Sequence, residues 1–376
     1  MIVAIPKETA DLEKRVSITP EIAGKLIQKG LTLRVESDAG LASNFLDAQY
    51  SEAGASIEKD RNKLFKEADL VLAVQTPPEI DLANMKQNSI LVCFIWALQN
   101  ADLVESLKTI GITALGMDAI PRISRAQNMD ALSSMSSIAG YKASLLAANH
   151  LDKYFPMMMT AAGTIPPSKA LILGAGVAGL QAIATCRKLG AVVEAYDVRP
   201  VVKEQVESLG AKFVEVPLEE ENTETKGGYA KELSKDSQER QKQVIHEHVK
   251  KSDIVITTAL IPGRPAPLLI TKEMVADMKP GSVIVDLAAE NGGNCELTKA
   301  GEVAVEHEVK IVGPLNLPSQ LANHASMLYS KNMFALLNLL IKENEANFDF
   351  EDEILLNTTI THNGEIISPL LKPKES

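Results

Sequence analysis

Residues 170–190, ALILGAGVAGLQAIATCRKLG, decide the fold of the second half of the chain. The run ALIL is typical of a buried strand, and the residues from Val177 onward have the apolar spacing of a helix. Between them stand Gly174, Gly176 and Gly179, in the spacing G-x-G-x-x-G. The first glycine allows a tight turn, the second lets the backbone approach a pyrophosphate, and the third lets the helix pack closely on the strand. The stretch predicts a dinucleotide-binding βαβ unit, and a glycine turn without a ligand is the structural alternative.

An acidic residue follows at the distance that this motif requires. Asp197 ends the next apolar run, AVVEAYD, 18 residues after Gly179. A carboxylate at this position accepts hydrogen bonds from the adenosine ribose hydroxyls and repels a 2′-phosphate. We therefore predict that the chain binds NAD(H) rather than NADP(H). Arg199, two positions later, argues in the opposite direction because an arginine accommodates a 2′-phosphate.

Short apolar runs alternate with helical patterns along nearly the whole chain, which predicts an α/β fold with mostly parallel sheets. The predicted strands are 2–5, 31–37, 70–74, 89–94 and 112–115 in a first series, and 170–173, 192–196, 212–216, 253–257 and 282–286 in a second. Helices are predicted at 20–29 and 102–108, and long helical patterns at 131–151 and 319–341. We expect two doubly wound Rossmann-like domains, joined by the long helices, with a cleft between them.

The long helical patterns also give the predicted domain limits. A chain that crosses over near 135 and returns near 316 builds a first α/β domain from residues 1–135 and 316–376, and an NAD-binding Rossmann domain from residues 136–315. The tail after Asp349 is predicted to form a hairpin with Asn363 and Gly364 at its turn. The three methionines at 157–159 are predicted to fill the junction of the domains.

Composition argues against several classes of function. The chain has 49 acidic against 38 basic residues, and a net charge of −11 disfavours binding to nucleic acid or anionic lipid. The longest apolar run, residues 333–341, is about half of the roughly 20 residues that a membrane span needs. The N-terminus has no signal-peptide pattern, and the 3 cysteines lack zinc-site spacing. We expect a protein of the reduced cytoplasm without a metal.

Polar side chains are concentrated in residues 121–137, PRISRAQNMDALSSMSS, just before the long helical pattern. This segment contains Arg122, Gln127, Asp130 and Ser133, beside a second arginine and further serines. The structural interpretation is a helix cap, in which Asp130 and the serines bond to the backbone. The functional interpretation is a binding site, because ligands of such folds lie beyond the carboxyl ends of the strands.

A family resemblance extends from Ile5 to the C-terminal hairpin. The chain closely resembles the NAD(H)-binding domain I of proton-translocating nicotinamide nucleotide transhydrogenases in the stretches PRISRAQNMDALSSMSSIAGY, FPMMMTAAGTIPP, GAGVAGLQAIATCRKLGA, KEQVESLGAKF, GGYAKE and ITTALIPGRPAP. The resemblance implies an NAD(P)⁺ transhydrogenase with Si-/Re-specific hydride transfer, active only as part of a complex. NADH bound here would pass a hydride to NADP⁺ on a partner subunit, while membrane-spanning subunits translocate protons.

The same resemblance implies further properties. The chain looks like the separate soluble subunit of the three-subunit bacterial form, a homodimer attached to the inner membrane through its partners. Residues around the nicotinamide end would be Arg122, Gln127, Asp130 and Ser133. Residues around the rest of the cofactor would be Gly174, Gly176, Val177, Gly179, Asp197, Val198, Arg199, Gly228, Tyr229, Gln241 and Leu260, with Tyr229 on a mobile loop.

Two other functions stay open at this point. The fold resemblance extends to alanine dehydrogenases, which pair an early arginine with a lysine and a histidine at the substrate site. Arg15 is present here, but Gln75 stands where the lysine is expected, and Ile95 and Trp96 stand in the histidine region. The acid–base groups of a dehydrogenase are therefore missing. The remaining alternative is an NAD-binding regulatory protein, which needs a partner but no second nucleotide.

Overall fold

The computed structural model describes residues 1–216, 235–260 and 264–371, with the backbone alone for 235–238. Its strands are β1 (Ile2–Ile5), β2 (Thr32–Glu36), β3 (Ser56–Glu58), β4 (Leu70–Gln75), β5 (Ile90–Phe94), β6 (Thr113–Gly116), β7 (Met158–Thr160), β8 (Gly163–Ile165), β9 (Lys169–Leu173), β10 (Val192–Tyr196), β11 (Lys212–Phe213), β12 (Ile254–Thr257), β13 (Val283–Asp286), β14 (Val303–Glu306), β15 (Val309–Val312), β16 (Ile341–Lys342), β17 (Glu345–Ala346), β18 (Thr359–His362) and β19 (Glu365–Ile366).

The α-helices lie between these strands. They are α1 (Pro20–Gln28), α2 (Asp47–Glu52), α3 (Arg61–Glu67), α4 (Glu79–Leu82), α5 (Ala101–Ile110), α6 (Ala131–His150), α7 (Val177–Lys188), α8 (Lys203–Ser208), α9 (Lys235–Val249), α10 (Lys272–Ala276), α11 (Ala322–Leu340) and α12 (Glu353–Thr358). Short 3₁₀ turns precede two long helices, at Ser124–Met129 before α6 and at Leu317–Leu321 before α11. Within the described residues, no helix is both long enough and apolar enough to cross a bilayer.

The chain divides into two compact units, of which the first joins both ends of the sequence. Unit 1 consists of Met1–Met135 and Pro318–Ser376, and unit 2 of Ser136–Leu317. The first unit holds an eight-stranded sheet in the order β19-β18-β6-β5-β4-β1-β2-β3. The strands from β6 to β3 run parallel, and β18 and β19 are antiparallel. Strand β5 is buried throughout, as expected of a parallel strand covered on both faces.

Unit 2 is built on a seven-stranded sheet in the order β11-β10-β9-β12-β13-β15-β14. All neighbours in it are parallel except β14, which pairs antiparallel with β15. The chain first adds β10 and β11 on one side of β9, and then adds β12 on the other side. This reversal of strand order is the place where doubly wound folds bind ligands, at the carboxyl ends of the strands.

Small residues let α6 lie unusually close to α7. A β-carbon at Gly140 would stand 2.0 Å from the carbonyl oxygen of Ala178. One turn later, the hydroxyl of Ser144 donates to the carbonyl oxygens of Gly140 and Ala182, at 3.1 and 3.3 Å. The richness of α6 in alanine, serine and glycine therefore reflects helix packing, since backbones approach only where side chains are small.

Most predicted elements are confirmed, and the α/β fold with two Rossmann-like domains is correct. Strands 2–5 and 192–196 coincide with β1 and β10, and the predicted Asn363–Gly364 turn joins β18 to β19. The predicted strand 212–216 is too long, because only Lys212–Phe213 pairs with β10. The tail before this hairpin is also not extended, since Glu353–Thr358 forms α12. The prediction of buried methionines is wrong for Met157 and Met159, whose exposed fractions are 56% and 77%.

Candidate functional site

The glycine turn joins β9 to α7 in unit 2. Gly174 has a φ of +99°, and a β-carbon there would stand 2.6 Å from Oγ1 of Thr258. The backbone N–H of Gly174 donates to the carbonyl oxygen of Tyr196 at 2.8 Å, which ties the turn to β10. Both the backbone conformation and the lack of space thus require glycine at this position.

The other two glycines have opposite surroundings. A β-carbon on Gly176 would have no atom within 4 Å, so the space above it is open. A β-carbon on Gly179 would stand 1.9 Å from the carbonyl oxygen of Gly174, so this glycine is needed for the helix to pack on the turn. These surroundings match the three roles of a dinucleotide-binding turn, in which only the second glycine is kept free for the pyrophosphate. The residues present therefore fit a bound dinucleotide.

Helix α7 begins directly at this open space. Gly176 is its N-cap, and no side chain caps the helix there. The first N–H groups of a helix have no partner inside the helix, and together with the helix dipole they attract phosphate. Val177, the first residue of α7, is 41% exposed at the same place. The end of α7 thus offers backbone donors to an anionic group.

Asp197 lies beside the turn, at the end of β10, and is 9% exposed. Its Oδ2 accepts a hydrogen bond from the backbone N–H of Ala175 at 2.7 Å. Arg199 donates to both oxygens, from Nε to Oδ1 at 2.9 Å and from Nη2 to Oδ2 at 2.8 Å. The backbone N–H of Arg199 adds a fourth bond, to Oδ1 at 2.9 Å. The acid predicted to bind the ribose is therefore close to the turn, but it is paired with the arginine two residues later.

The end of β12 completes this edge of unit 2. Thr258 donates from its hydroxyl to the carbonyl oxygen of Gly174 at 3.1 Å. Leu260, two residues further on, is 43% exposed. Asn294 fixes this segment, because its amide donates to the carbonyl oxygen of Ala259 at 2.9 Å and accepts from the N–H of Ala259 at 3.1 Å. The ends of β9, β10 and β12 thus meet at the glycine turn.

Asp286, at the end of β13, organises the neighbouring loop and was not singled out from the sequence. It is fully buried, and its carboxylate accepts from Thr257, Ala288, Asn294, Cys295 and Thr298 at 2.7–3.0 Å. These bonds hold the chain that carries Asn294 against the end of β12. The available signal was an acid that directly follows the apolar run SVIV at the end of a predicted strand.

The remaining cofactor residues predicted in unit 2 are placed less informatively. Val198 is half-buried between Asp197 and Arg199. Gln241 is buried on α9, and no hydrogen bond within the described residues joins it to the glycine turn. Gly228 and Tyr229, predicted to form a mobile loop, lie outside the described residues.

The residues predicted to surround the nicotinamide end lie in unit 1. Arg122 and Gln127 are exposed, and Gln127 lies on the 3₁₀ turn Ser124–Met129. Asp130 caps α6, since its Oδ1 accepts from the N–H of Ser133 at 2.8 Å and its Oδ2 from the hydroxyl of Ser133 at 2.5 Å. The structural interpretation of Asp130 is therefore confirmed. The turn before the cap presents the amide side chain of Gln127 to solvent.

A second polar cluster in unit 1 surrounds Arg15. Its guanidinium is 4% exposed and donates to both oxygens of Glu13, at 2.7 and 2.6 Å. The amide of Gln75 donates to the same carboxylate at 3.0 Å. Although burial alone raises the pKa of a carboxyl, the hydrogen bonds from Arg15 hold the pKa of Glu13 at about 2. Within the described residues, no group of three or more His, Cys, Asp or Glu side chains is arranged to bind a metal.

Family comparisons match both halves of the chain. The family described as "Alanine dehydrogenase/PNT, N-terminal domain" matches residues 4–139. The family described as "Alanine dehydrogenase/PNT, C-terminal domain" matches residues 143–369. The two matches together extend over nearly the whole sequence.

Individual relatives agree with these matches. The chain is 48% identical over 379 residues to the first of the separate parts of the NAD(P) transhydrogenase subunit alpha of Rhodospirillum rubrum, with 99% of each chain covered. It is similar to a solved transhydrogenase from Sinorhizobium meliloti, with a TM-score of 0.88, 43% identity, and coverage of 98% of this chain and 100% of the other. An L-alanine dehydrogenase structure has the same fold, with a TM-score of 0.81, 23% identity and 98% of each chain covered.

Proposed function

This chain belongs to the alanine dehydrogenase/PNT family, and we propose that it is the NAD(H)-binding subunit of a proton-translocating NAD(P) transhydrogenase. In this proposal, a hydride passes between NADH bound to this chain and NADP⁺ bound to a partner subunit. The near-complete coverage of a transhydrogenase alpha polypeptide, at 48% identity, favours this assignment within the family.

The observation that carries the proposal is the glycine turn. Open space above Gly176, at the uncapped start of α7, provides room and backbone donors for a pyrophosphate. Asp197, held against Ala175, stands where the adenosine ribose of NAD(H) is bound in such folds. We infer that Gly174, Gly176, Val177 and Gly179 hold the pyrophosphate, and that Asp197 to Arg199 surround the ribose.

Positioning is the main task that the reaction gives to this chain. When bound, NADH supplies the hydride, which moves directly to the second nicotinamide without a protein acid or base. Binding energy from the ribose and phosphate contacts then serves to orient the reacting ring. Gln127 is the residue we assign to the reacting end, because its amide is exposed on a turn that neighbouring residues hold in place. Arg122, Asp130 and Ser133 are assigned to the same end.

The alternative within the family, an alanine dehydrogenase, is disfavoured by the Arg15 cluster. Gln75 cannot perform acid–base chemistry, and Trp96 offers only an indole N–H donor in the region where a histidine is expected. Arg15 itself is engaged by Glu13 through two short hydrogen bonds. We therefore expect no oxidation of L-alanine by this chain.

Assembly into a homodimer is also proposed. Strands β7 and β8 form a separate two-stranded sheet in unit 2, which carries the exposed side chains of Met159 and Ile165. A two-stranded hairpin is marginally stable alone, and exposed apolar residues favour contact with a partner. Since most homo-oligomers are symmetric dimers, we propose that a second copy of the chain covers this hairpin.

The complex would include further subunits. The relative from Rhodospirillum rubrum is named as one of several parts of a transhydrogenase alpha subunit, which supports separate partner polypeptides. We propose that an NADP(H)-binding beta subunit and membrane-spanning subunits complete the enzyme. In this arrangement the chain lies on the cytoplasmic side and attaches to the inner membrane peripherally, through these partners.

A reconstitution experiment tests the proposed function. The purified chain is mixed with a separately purified NADP(H)-binding transhydrogenase domain, and transfer from NADH to an oxidised NADP⁺ analogue is followed by absorbance. We expect transfer only when both proteins are present. Lack of transfer, together with turnover of L-alanine and NAD⁺ by the chain alone, would reject the proposal in favour of a dehydrogenase.

A further inference from the structure

The 3₁₀ turn Ser124–Met129 is joined to the C-terminal region of unit 1 by an ion pair. Arg125, on this turn, donates from Nη1 to Oδ2 of Asp352 at 2.6 Å, and from Nη2 to Oδ1 at 2.9 Å. The two residues are 227 positions apart in the sequence. Paired parallel hydrogen bonds of this kind fix the relative orientation of the two groups as well as their distance.

Other contacts hold the same turn at its remaining points. Ala126 and Met129 are buried at 1% and 7% exposure, which anchors the inner face of the turn. The amide of Asn332, on α11, donates to the carbonyl oxygen of Asn128 at 2.9 Å. Between these points lies Gln127, which is exposed. The turn is therefore fixed on both sides of Gln127, and Arg125 provides the tether on its N-terminal side.

We propose that Asp352 is a positioning residue for hydride transfer, which acts by holding Arg125 and thereby the turn that carries Gln127. This role rests on the proposed function, because it assigns the Gln127 side chain to the reacting end of the nucleotide. Asp352 itself does not touch a nucleotide in this proposal. Its effect is on the geometry of the turn, and hydride transfer is sensitive to displacements of about 1 Å.

The environment of Asp352 allows its charge to be removed without removing its second role. Its Oδ1 also accepts from the N–H of Ile354 at 2.8 Å and so caps α12. Asparagine is as good an N-cap as aspartate. The substitution Asp352→Asn is therefore expected to keep α12 and to weaken the tether to Arg125.

The experiment compares transfer rates and binding in the reconstituted complex. For Asp352→Asn and for Arg125→Met, we expect the rate at saturating nucleotide to fall about three- to fivefold, with NADH affinity unchanged within about twofold. The double variant should match the slower single variant, because both changes remove the same tether. Glu105→Gln breaks the exposed pair between Glu105 and Lys108 on α5, and serves as the charge-matched control.

Backbone hydrogen exchange provides a readout that does not depend on activity. Amides of residues 124–129 should exchange faster in Asp352→Asn than in the wild-type chain, while those of α12 stay protected. An unchanged rate in Asp352→Asn, or strictly multiplicative losses in the double variant, would overturn the proposed role. If the wild-type complex itself transfers no hydride, the proposed function fails, and this role fails with it; normal wild-type transfer with an unaffected Asp352→Asn rejects this role alone.

Discussion

Arg199 donates to both carboxylate oxygens of Asp197, with Nε 2.9 Å from Oδ1 and Nη2 2.8 Å from Oδ2. Two backbone N–H groups, of Ala175 and Arg199, bond to the same oxygens. A carboxylate has about four acceptor positions, so these four bonds use its capacity. A ribose that bonds to Asp197 must therefore compete with the guanidinium. The residue that favours NAD(H) and the residue that suits a 2′-phosphate neutralise each other.

Replacement of Arg199 tests this relationship. In Arg199→Ala the carboxylate of Asp197 keeps its full charge, so it should repel the 2′-phosphate of NADPH more strongly and accept the ribose hydroxyls of NADH without competition. We expect the preference for NADH over NADPH to rise by about tenfold, since one charge-assisted contact contributes about 1.5–3 kcal/mol. Calorimetric titrations of both nucleotides measure the ratio.

The control for this change is Lys203→Ala. It removes one positive charge from the same unit, but Lys203 pairs with Glu215 rather than with Asp197. The nucleotide preference should stay the same in this variant. If wild-type protein already binds NADH and NADPH equally and Arg199→Ala does not separate them, the assignment of Asp197 to the ribose is wrong.

The glycine turn allows stability and binding to be separated. Gly176 has a φ of −76°, which suits alanine, and a β-carbon there meets no protein atom within 4 Å. Gly176→Ala should therefore fold normally, but its methyl group would fill the space assigned to the pyrophosphate, and NADH affinity should fall by at least about tenfold. Gly179→Ala should instead lower the free energy of unfolding by roughly 1–3 kcal/mol or more, since its β-carbon would overlap the carbonyl of Gly174. Thermal unfolding and NADH titration of both variants check the two expectations.

Local patterns in the sequence were sufficient to predict this turn. The apolar run of β9, the glycine spacing and the acid at the end of β10 all lie within 30 residues, so their arrangement follows from one βαβ unit. The pairing of Asp197 with Arg199 was not predicted, because the sequence does not tell which partner a side chain selects. The tether from Arg125 to Asp352 joins positions 227 apart, and no local pattern indicates it.

Exposure was the other property that the sequence could not give. The run of methionines at 157–159 was interpreted as core because apolar residues are usually buried. In the structure they begin a hairpin whose outer side chains are exposed. Sequence alone does not distinguish an apolar residue of the core from one at an interface. The helix α12 was missed for a related reason, since six residues are too few for a clear helical period.

The hairpin formed by β7 and β8 should contribute to self-association. Met159 is 77% exposed and Ile165 is 44% exposed. If a second copy covers them, Met159→Lys places a charge in an apolar contact, and the dimer should dissociate at least about tenfold more readily. Sedimentation equilibrium measures the dissociation constant. Val305→Lys, on β14 at 64% exposure, is the matched control and should leave it unchanged.

Glu8 should make the stability of the first unit depend on pH. Burial is the main cause that raises the pKa of its carboxyl, to about 7, although the backbone N–H groups of Val74 and Gln75 bond to it. Between the ordinary glutamate pKa of 4.5 and a pH of about 7, the folded chain thus keeps a proton that the unfolded chain has released. The stabilising contribution is complete below pH 4.5 and is lost as the pH rises through 7.

Urea unfolding between pH 4.5 and pH 8 measures this dependence, and Glu8→Gln should flatten it. Glu21→Gln is a suitable control, because the hydrogen bond from Lys25 lowers the pKa of Glu21, so that this group titrates below the window. An equal slope in the wild-type chain and Glu8→Gln would show that the carboxyl of Glu8 is ionised in the folded protein throughout.

Gln127 should separate cofactor binding from hydride transfer. Its amide is exposed on the 3₁₀ turn of unit 1, whereas the glycine turn and Asp197 belong to unit 2, so Gln127→Asn leaves the assigned pyrophosphate and ribose contacts intact. NADH affinity should change little. Because asparagine is one methylene shorter, the amide would be displaced by about 1 Å or more, and transfer at saturating nucleotide should fall by about 10- to 100-fold. Stopped-flow rates beside NADH titrations measure the two effects separately. A variant that loses NADH affinity but keeps its saturated rate would place Gln127 in binding rather than at the reacting end.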